Sequence, residues 1–411
     1  MTSRTALDLL RPDRPARALV RLRVGFIPLV DCAPLVVARD LGFAAAEGLE
    51  LDLVRETSWA NIRDRIVLGH FDAAHMLAPM AIAARLGLGP LAAPIIAPFV
   101  MNHGGNAVSL ARHVEIDPTA WSGIADPLAA GRALADVVAA RARAGAPPLT
   151  LAHVHPFSCH NYQLRYWLAA VGLDPDRDLR LVVVPPPYMV DALESGVVDG
   201  CCVGAPWSSL AVEAGVGRIV LSTGPIWTST PEKVLGVRET FAERRPDDLA
   251  ALLRALDAAA AWAEDPANHA DLAALLARPE VIGVDAEVIG RSLSGRLVAA
   301  RGEPALDAPG FLRFHGPGPA GPINRPRAAD GLWLAAQILR WNRITDRAAA
   351  LDAARTAFSP AHWDAAIGPA EPDGAVETVV PFDGAVFDAA APDAWIDTHP
   401  GPAAEAGAEG L

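Results

Sequence analysis

Short apolar segments alternate with helical patterns along the first half of the chain. The runs RLRVGFI, LELDLV and DAAHML are separated by Ala/Leu-rich stretches such as NIRDRIVLG, and PMAIAARLG follows the last of them. This alternation is typical of β-α units in a parallel sheet. A second set of runs begins at LTLAHV, continues with LRLVVV and ends with DGCCVG. The pattern therefore predicts two α/β lobes.

The second half of the chain is more helical. After the extended VLGV at Val234, the segments DDLAALLRALDAAAAWAED and ADLAALLA predict helices, and one clear helix, GLWLAAQILRWNR, interrupts a region rich in Pro and Gly. The tail after Pro369 is rich in Pro, Asp and Ala, which is typical of a segment that wraps the surface or is partly disordered. The predicted organisation is an N-terminal extension (1–20), lobe I (21–110 and 205–308), lobe II (111–204) and a helical C-terminal extension with this tail (309–411).

Composition narrows the class of protein. The chain has 411 residues, of which 52% are hydrophobic, enough for well-buried cores. Its net charge of −13 argues against direct binding to nucleic acid or to an anionic membrane. The N-terminus carries charges every few residues and lacks the apolar region of an export signal, and no later segment resembles a transmembrane span. Together with four scattered cysteines, this predicts a cytoplasmic protein.

Unusual residues follow several of the predicted strands. They are Trp59, Asn106, His160, the triple proline 185–187 and the turn 204–207. Because ligands collect at the carboxyl ends of strands in α/β sheets, we expect these places to face one cleft. Ser158 predicts the N-cap of a helix that contains His160, and the first turn of this helix has no carboxylate. The sequence therefore predicts a small anion at this helix start.

Four long blocks carry a resemblance to a known family. The blocks are GFIPLVDCAPLVVARDLGF, ETSWANIRDRIVLGHFDAAHMLAPM, HNYQLRYWLAAVGLDPDRDLRLVVVPPPYMVDALESGVVDGCCVGAPW and TSTPEKVLGV. From about Leu22 to about Gly295 the chain resembles the nitrate- and bicarbonate-binding proteins of the NrtA/CmpA family. The resemblance implies a type II periplasmic-binding-protein fold, in which two α/β lobes close on a small oxyanion.

The resemblance also implies a site and a partner. Without an export signal, the chain is most similar to the cytosolic NasS-like nitrate/nitrite sensors of this family. These sensors hold an ANTAR-type RNA-binding antiterminator, NasT, inactive until nitrate or nitrite binds. No metal or cofactor is implied. The ligand-binding positions carried over from the family are Trp59, Asn106, His160, Pro186, Val203 and Lys233.

This sequence departs from the family pattern at two of these places. Relatives commonly have GEPW where this chain has GAPW at 204–207, so any role of that glutamate is absent, and Asn106 replaces a longer Gln. The remaining groups still suit nitrate, which offers only acceptors and requires donors.

Each candidate residue also has a structural interpretation. Lys233 is the only lysine of the chain, which favours a site too narrow for a guanidinium, but by sequence alone it can be a solvated loop residue paired with Glu232. If Lys233 binds the anion, Lys233→Glu is expected to abolish nitrate binding. We expect His75 to be a structural residue bonded to the backbone, and Cys201 and Cys202 to be small buried groups.

Three functions are compatible with the predicted fold. The leading hypothesis is a nitrate/nitrite sensor that acts by changing shape. The second is the substrate-binding component of a nitrate/bicarbonate ABC transporter, and the third is an enzyme similar to the pyrimidine-synthesising proteins of the thiamin pathway. No motif with a catalytic order is present, so we predict no catalysis.

Overall fold

The computed structural model describes residues 18–117, 121, 123–227, 230–318, 320–369 and 378–401. Most of the predicted N-terminal extension, and the tail at 370–377 and 402–411, lie outside the described residues. Among the described helices, none is both long enough and apolar enough to cross a lipid bilayer.

The first of two large sheets has six strands. They are β1 (Val20–Phe26), β2 (Leu49–Arg55), β3 (Ala73–Leu77), β4 (Ile95–Gly104), β10 (Pro231–Arg238) and β13 (Leu312–Arg313). Their order is β13-β4-β10-β3-β1-β2. Strand β1 is parallel to its neighbours β2 and β3, whereas β10 runs antiparallel to β3 and β4.

The second large sheet has five strands. They are β5 (Asn106–Ala111), β6 (Thr150–His153), β7 (Arg180–Val183), β8 (Gly200–Gly204) and β9 (Gly217–Ser222). Their order is β7-β6-β8-β5-β9, and β5 runs antiparallel to both of its neighbours. Three two-stranded ribbons complete the strands: β11 (Arg296–Val298) with β12 (Ala305–Asp307), β14 (Pro317–Gly318) with β15 (Gly321–Pro322), and β16 (Thr378–Val379) with β17 (Phe387–Asp388).

Helices connect the strands and continue beyond them. In the two lobes they are α1 (Ala33–Asp40), α2 (Phe43–Ala46), α3 (Trp59–Val67), α4 (Ala78–Arg85), α5 (Pro127–Arg143), α6 (Cys159–Ala170), α7 (Met189–Glu194) and α8 (Trp207–Glu213). The later helices are α9 (Glu239–Arg244), α10 (Pro246–Glu264), α11 (His269–Ala277), α12 (Ala286–Ser294), α13 (Ala328–Asn342), α14 (Arg347–Ala357), α15 (Ala361–Ala366) and α16 (Pro392–Thr398). Short 3₁₀ turns lie at Val30–Cys32, Pro186–Tyr188 and Pro266–Asn268.

The architecture confirms the predicted fold class of two α/β lobes. The six runs that predicted parallel β-α units form β1, β2 and β3 in one sheet and β6, β7 and β8 in the other, and they pair in parallel. Both sheets are nevertheless mixed, because other strands, among them β5 and β10, run antiparallel to their neighbours. Strands β4 and β5 were not predicted, although the glycine pair 104–105 between them is a turn signal within their apolar segment.

The chain crosses between the sheets at other residues than predicted. Strand β4 ends at Gly104 in the first sheet and β5 begins at Asn106 in the second, and Gly104 and Gly105 have φ values of +70° and +92°, which glycine adopts without strain. The chain returns between Ser222 and Pro231. The predicted crossings at 110–111 and 204–205 therefore lie inside or next to strands of the second sheet, and Asn106 belongs to lobe II.

The C-terminal extension contains more structure than the one predicted helix. In its described part there are four helices, α13 to α16. Trp395 of α16 packs against Trp333 of α13 with ring centroids 5.1 Å apart, and the Tyr166 hydroxyl of α6 donates a hydrogen bond to Asp383 at 2.9 Å. The described tail residues 378–401 are thus anchored to lobe II through α6.

Candidate functional site

Two serine-capped helices bring Trp59 and His160 to the region between the lobes. The Ser58 hydroxyl accepts a hydrogen bond from the Asn61 N–H at 3.2 Å, and the Ser158 hydroxyl accepts one from the Asn161 N–H at 3.1 Å. Each cap begins its helix directly after a strand-to-helix turn. As a result, Trp59 and His160 occupy the first turns of α3 and α6, where both are fully buried.

Lys233 is the charged centre of the site. Its ammonium Nζ lies 2.9 Å from Asp31 Oδ2 and 3.0 Å from Glu232 Oε1, and 5.7 Å from the centroid of the Trp59 ring. All of these side chains are buried, and Lys233 lies on strand β10. The interpretation of Lys233 as a solvated loop residue was therefore wrong, although its pairing with Glu232 is present.

The ion pairs fix the charges of this centre. Burial alone would raise the pKa of Asp31, but Lys233 and His75 outweigh burial and hold that pKa well below its usual range. Burial would lower the pKa of Lys233, but the two carboxylates outweigh it and raise the pKa of the ammonium. Burial raises the pKa of Glu232, and Lys233 opposes this shift. Asp31 and Lys233 are therefore charged at neutral pH, and Glu232 is the carboxyl group closest to protonation.

His160 faces this centre from the opposite lobe. Its Nδ1 lies 3.3 Å from Glu232 Oε1, and its Nε2 has no hydrogen-bond partner among the described residues. Burial, and then the nearby Lys233 ammonium, hold the pKa of His160 well below its usual range. Burial is therefore the main reason that this imidazole is uncharged.

His75 supports the centre from strand β3. Its Nδ1 accepts a hydrogen bond from the Ile27 N–H at 3.5 Å, as the predicted structural role requires. Its Nε2 lies 3.0 Å from Asp31 Oδ1, and its ring is 5.3 Å from the Trp59 ring. Burial lowers the pKa of His75, so the ring is neutral with its proton directed to Asp31.

Asn106 and Gly204 form the lobe II side of the site. The Asn106 Nδ2 donates a hydrogen bond to Gln163 Oε1 at 3.2 Å, which leaves the Asn106 Oδ1 without a described partner. A Cβ atom placed on Gly204 would lie 3.4 Å from Asn106 Oδ1 and 3.7 Å from His160 Nε2. The two polar atoms therefore converge on the face of Gly204.

Three buried polar atoms of the cluster have neither a hydrogen bond nor an ion-pair contact within the described part of the chain. They are Trp59 Nε1, His160 Nε2 and Asn106 Oδ1. Because buried polar groups are nearly always hydrogen-bonded, such atoms mark a place for a small polar ligand or water. The prediction of a site with donors only was wrong, since Asp31, Glu232 and Asn106 contribute acceptors.

The remaining predicted positions have simpler roles. Pro186 is buried at the start of a 3₁₀ turn, and Val203 is buried on β8 opposite Ala107. Neither side chain can form a hydrogen bond, so their contact with the ligand, as apolar walls of the site, stays a prediction.

Cys201 and Cys202 are free and buried, as predicted, and burial raises the pKa of Cys201 to about 12. The described residues contain no His/Cys/Asp/Glu group suited to a metal ion.

Direct contacts hold the two lobes together around the cluster. The Val30 N–H donates a hydrogen bond to the Ala205 carbonyl at 2.9 Å, and the Trp207 Nε1 donates one to the Pro28 carbonyl at 3.0 Å. The cluster is thus enclosed between the lobes. Lobe I contributes Asp31, Trp59, His75, Glu232 and Lys233, and lobe II contributes Asn106, His160, Gln163 and Gly204.

A separate open cleft lies at the far end of β5. It has a volume of about 620 Å³ and is lined by Arg112, Arg218 and Arg301, among others. Arg218 is already paired with Glu303 at 2.5 Å, and the cleft shares no residue with the buried cluster. The buried cluster is the better candidate, because three of its buried polar atoms lack a partner among the described residues.

Sequence reasoning did not identify Asp31, Glu232 or Gln163 as site residues. Asp31 is the one carboxylate in the apolar run GFIPLVDCAPLVV, and Glu232 precedes the only lysine. An isolated charge within an apolar run is a signal of a buried pair, and it could have identified Asp31.

Comparisons with known proteins agree with the observed fold. Residues 16–277 match the model of the NMT1-like family. The nitrate/nitrite binding protein NrtA of Synechococcus elongatus is 33% identical over 392 residues, which cover 91% of this chain and 85% of the relative. The crystal structure of the periplasmic nitrate-binding protein NrtA from Synechocystis has a TM-score of 0.82 and 26% identity, covering 93% of this chain and 98% of that chain.

Another relative is longer. The nitrate import ATP-binding protein NrtC of Synechocystis is 38% identical over 332 residues, which cover 79% of this chain. The chain spans 46% of that relative, about half its length. The relatives matched over most of their own length are named as binding proteins, which agrees with the prediction of no catalysis.

Proposed function

The chain belongs to the NMT1-like family, and from this premise we propose that it binds nitrate or nitrite at the buried cluster between its lobes. The observation that carries the proposal is a pair of buried nitrogen atoms, Trp59 Nε1 and His160 Nε2, which come from opposite lobes and have no described protein partner. Lys233 lies beside them and supplies positive charge. Nitrate and nitrite are small anions whose oxygen atoms accept hydrogen bonds, and the buried nitrogen atoms of the site need such an acceptor.

The other predicted positions complete the proposed site. Asn106 and Gly204 line the lobe II side, and Pro186 and Val203 serve as apolar walls. No metal enters the proposal, because Lys233 already provides the cation. The names of the relatives NrtA and NrtC support nitrate or nitrite as the ligand.

Calorimetric titration with nitrate, nitrite, bicarbonate and sulfate tests the proposal. We expect nitrate or nitrite to bind without calcium, and sulfate to fail because a dianion would meet two buried carboxylates. Binding of bicarbonate that needs calcium, together with no binding of nitrate or nitrite, would contradict the proposal.

Gly204→Ala should weaken nitrate binding about tenfold or more, because its Cβ would enter the space between Asn106 Oδ1 and His160 Nε2. Gly217→Ala is a matched control, because Gly217 lies on strand β9 outside the cluster and a Cβ there would meet its nearest neighbours at 3.3 to 3.7 Å. The two variants are compared by nitrate affinity and by thermal unfolding. Equal affinities in both variants would show that the ligand does not occupy this space.

We propose further that ligand-dependent closure of the lobes makes the protein a cytoplasmic nitrate/nitrite sensor. In this proposal the open form holds an ANTAR-type RNA-binding antiterminator, and the closed form releases it. Contacts from both lobes to one ligand support such coupling, because a ligand shifts a two-state equilibrium by its differential affinity for the two states. The net charge of −13 suits a basic partner.

Partner release gives the test of the sensor proposal. Nitrate should weaken binding of the antiterminator by about 5- to 150-fold, the usual range of an allosteric coupling. His160→Ala should retain the partner at nitrate concentrations that release it from the parent protein. Co-purification of both proteins with and without nitrate measures this, and release from a variant that no longer binds nitrate would contradict the mechanism.

The alternative is the substrate-binding component of a nitrate or bicarbonate ABC transporter. The likeness to a periplasmic nitrate-binding protein over 93% of this chain favours it. Cell fractionation distinguishes the two: the sensor proposal expects the native protein in the cytoplasmic fraction, and the transporter proposal expects it in the periplasmic fraction.

A further inference from the structure

With Glu232 ionised, the buried cluster carries a net negative charge before any anion arrives. Asp31 and Glu232 contribute two negative charges and Lys233 one positive charge, while His75 and His160 are neutral. A bound nitrate would add a second net negative charge to a site from which water is excluded. Because buried like charges repel strongly, binding in this charge state is unfavourable.

We propose that the Glu232–His160 pair takes up one proton when nitrate binds, so that anion and proton enter the site together. This inference rests on the proposed function of the same site. The Glu232 Oε1 and His160 Nδ1 atoms lie 3.3 Å apart, and they belong to opposite lobes. The added proton lies either on Nδ1, which then donates to the Glu232 carboxylate, or on Glu232, which then donates to Nδ1; in both forms Nε2 carries a proton and can donate to the anion. The proton therefore also links the lobes.

The other charged groups of the cluster are poorer acceptors of this proton. Asp31 is held ionised by its contacts with Lys233 and His75. A second proton on His75 would remove the acceptor of the Ile27 N–H, whereas neither nitrogen of His160 accepts a hydrogen bond in the described structure. Several other titratable groups of the described structure surround the Glu232–His160 pair: Asp31, His75, His153, Cys159, Cys202 and Lys233. The two cysteines stay as thiols, because burial raises the pKa of each.

The direction of the pH effect follows from proton linkage. When binding takes up a proton, affinity is highest at low pH and falls as pH rises through the pKa of the pair in the free protein. Between that pKa and the higher pKa of the pair in the nitrate complex, the Kd for nitrate should increase by about tenfold per pH unit. Calorimetry in two buffers of different ionisation enthalpy should give an uptake of about one proton per nitrate bound.

Glu232→Gln mimics the protonated acid without adding a charge. We expect this variant to bind nitrate more tightly than the parent at alkaline pH, with little dependence on pH and almost no proton uptake. Asp199→Asn is the matched control, because it removes a carboxylate that lies 2.8 Å from His113 Nε2 at the other end of β8. This control should keep the proton uptake of the parent.

The proton count of the parent protein decides the inference without any variant. Nitrate binding with no proton uptake and a flat pH profile would overturn the inference and leave the proposed function intact. Absence of nitrate binding at every pH would overturn both. Loss of proton uptake in Glu232→Gln but not in Asp199→Asn would assign the uptake to this pair.

Discussion

Lys233→Met is expected to destabilise the protein by about 3–5 kcal/mol and to abolish nitrate binding. The substitution leaves Asp31 and Glu232 buried without their cation, and removing one partner of a buried ion pair leaves an uncompensated charge. It also removes the one positive side chain that contacts the cluster among the described residues. Urea unfolding measures the first effect, and calorimetric titration with nitrate measures the second.

A triple variant separates these two effects. Asp31→Asn, Glu232→Gln and Lys233→Met together replace all three charges by neutral groups of similar size, so most of the stability should return. Nitrate binding should stay absent, because the cation is missing. An unchanged free energy of unfolding in Lys233→Met would contradict the buried ion pairs, and nitrate binding by the triple variant would show that Lys233 does not bind the anion.

Methionine is a better replacement than glutamate at this position. The sequence suggested Lys233→Glu as the test of the ligand. In the structure that change would place three carboxylates in one buried cluster, so loss of binding would report on unfolding as much as on the ligand.

Trp59→Phe is expected to weaken nitrate binding by about 10- to 150-fold and to lower the stability moderately, as a smaller buried side chain does. Phenylalanine keeps an aromatic ring against His75, but it removes the indole N–H, which has no described protein acceptor, together with two buried ring carbons. A hydrogen bond to a charged group contributes about 1.5–3 kcal/mol, which corresponds to this range. Isothermal titration of both proteins at one pH measures the change.

Trp227→Phe provides the matched control. Trp227 is also buried with an Nε1 that lacks a described partner, but its ring packs against Tyr166 and Trp333 at centroid distances of 5.7 and 5.2 Å. This variant should bind nitrate like the parent. Equal losses in the two variants would indicate a general effect of removing a buried indole, and no loss in Trp59→Phe would exclude Trp59 as a donor to the ligand.

The features that the sequence predicted well are local. The serine cap before His160 and the strand that leads into α6 are encoded by neighbouring residues, and the structure shows both. The apolar runs that predict β1, β2, β3 and β8 are likewise short and bounded by polar residues. Local pattern was therefore sufficient to bring Trp59 and His160 to helix starts at strand ends.

The features that the sequence did not predict depend on distant residues. The partner of Lys233 is Asp31, which lies in the first lobe near the start of the chain, and no local pattern connects the two. Asn106 was placed in the wrong lobe because β4 and β5 form one nearly continuous apolar segment, which only the two glycines divide. Contacts between residues far apart in the chain determine both the Lys233–Asp31 ion pair and the lobe to which Asn106 belongs. The spacing of residues along the sequence does not show such contacts.

The most direct test of the central claim is a crystal structure of the protein with nitrate. We predict a planar trigonal ligand between the lobes, with oxygen atoms about 2.7–3.2 Å from Trp59 Nε1 and His160 Nε2 and with Lys233 Nζ alongside. Nitrate bound elsewhere, for example in the cleft lined by Arg112, Arg218 and Arg301, with the buried cluster free of nitrate, would contradict the account.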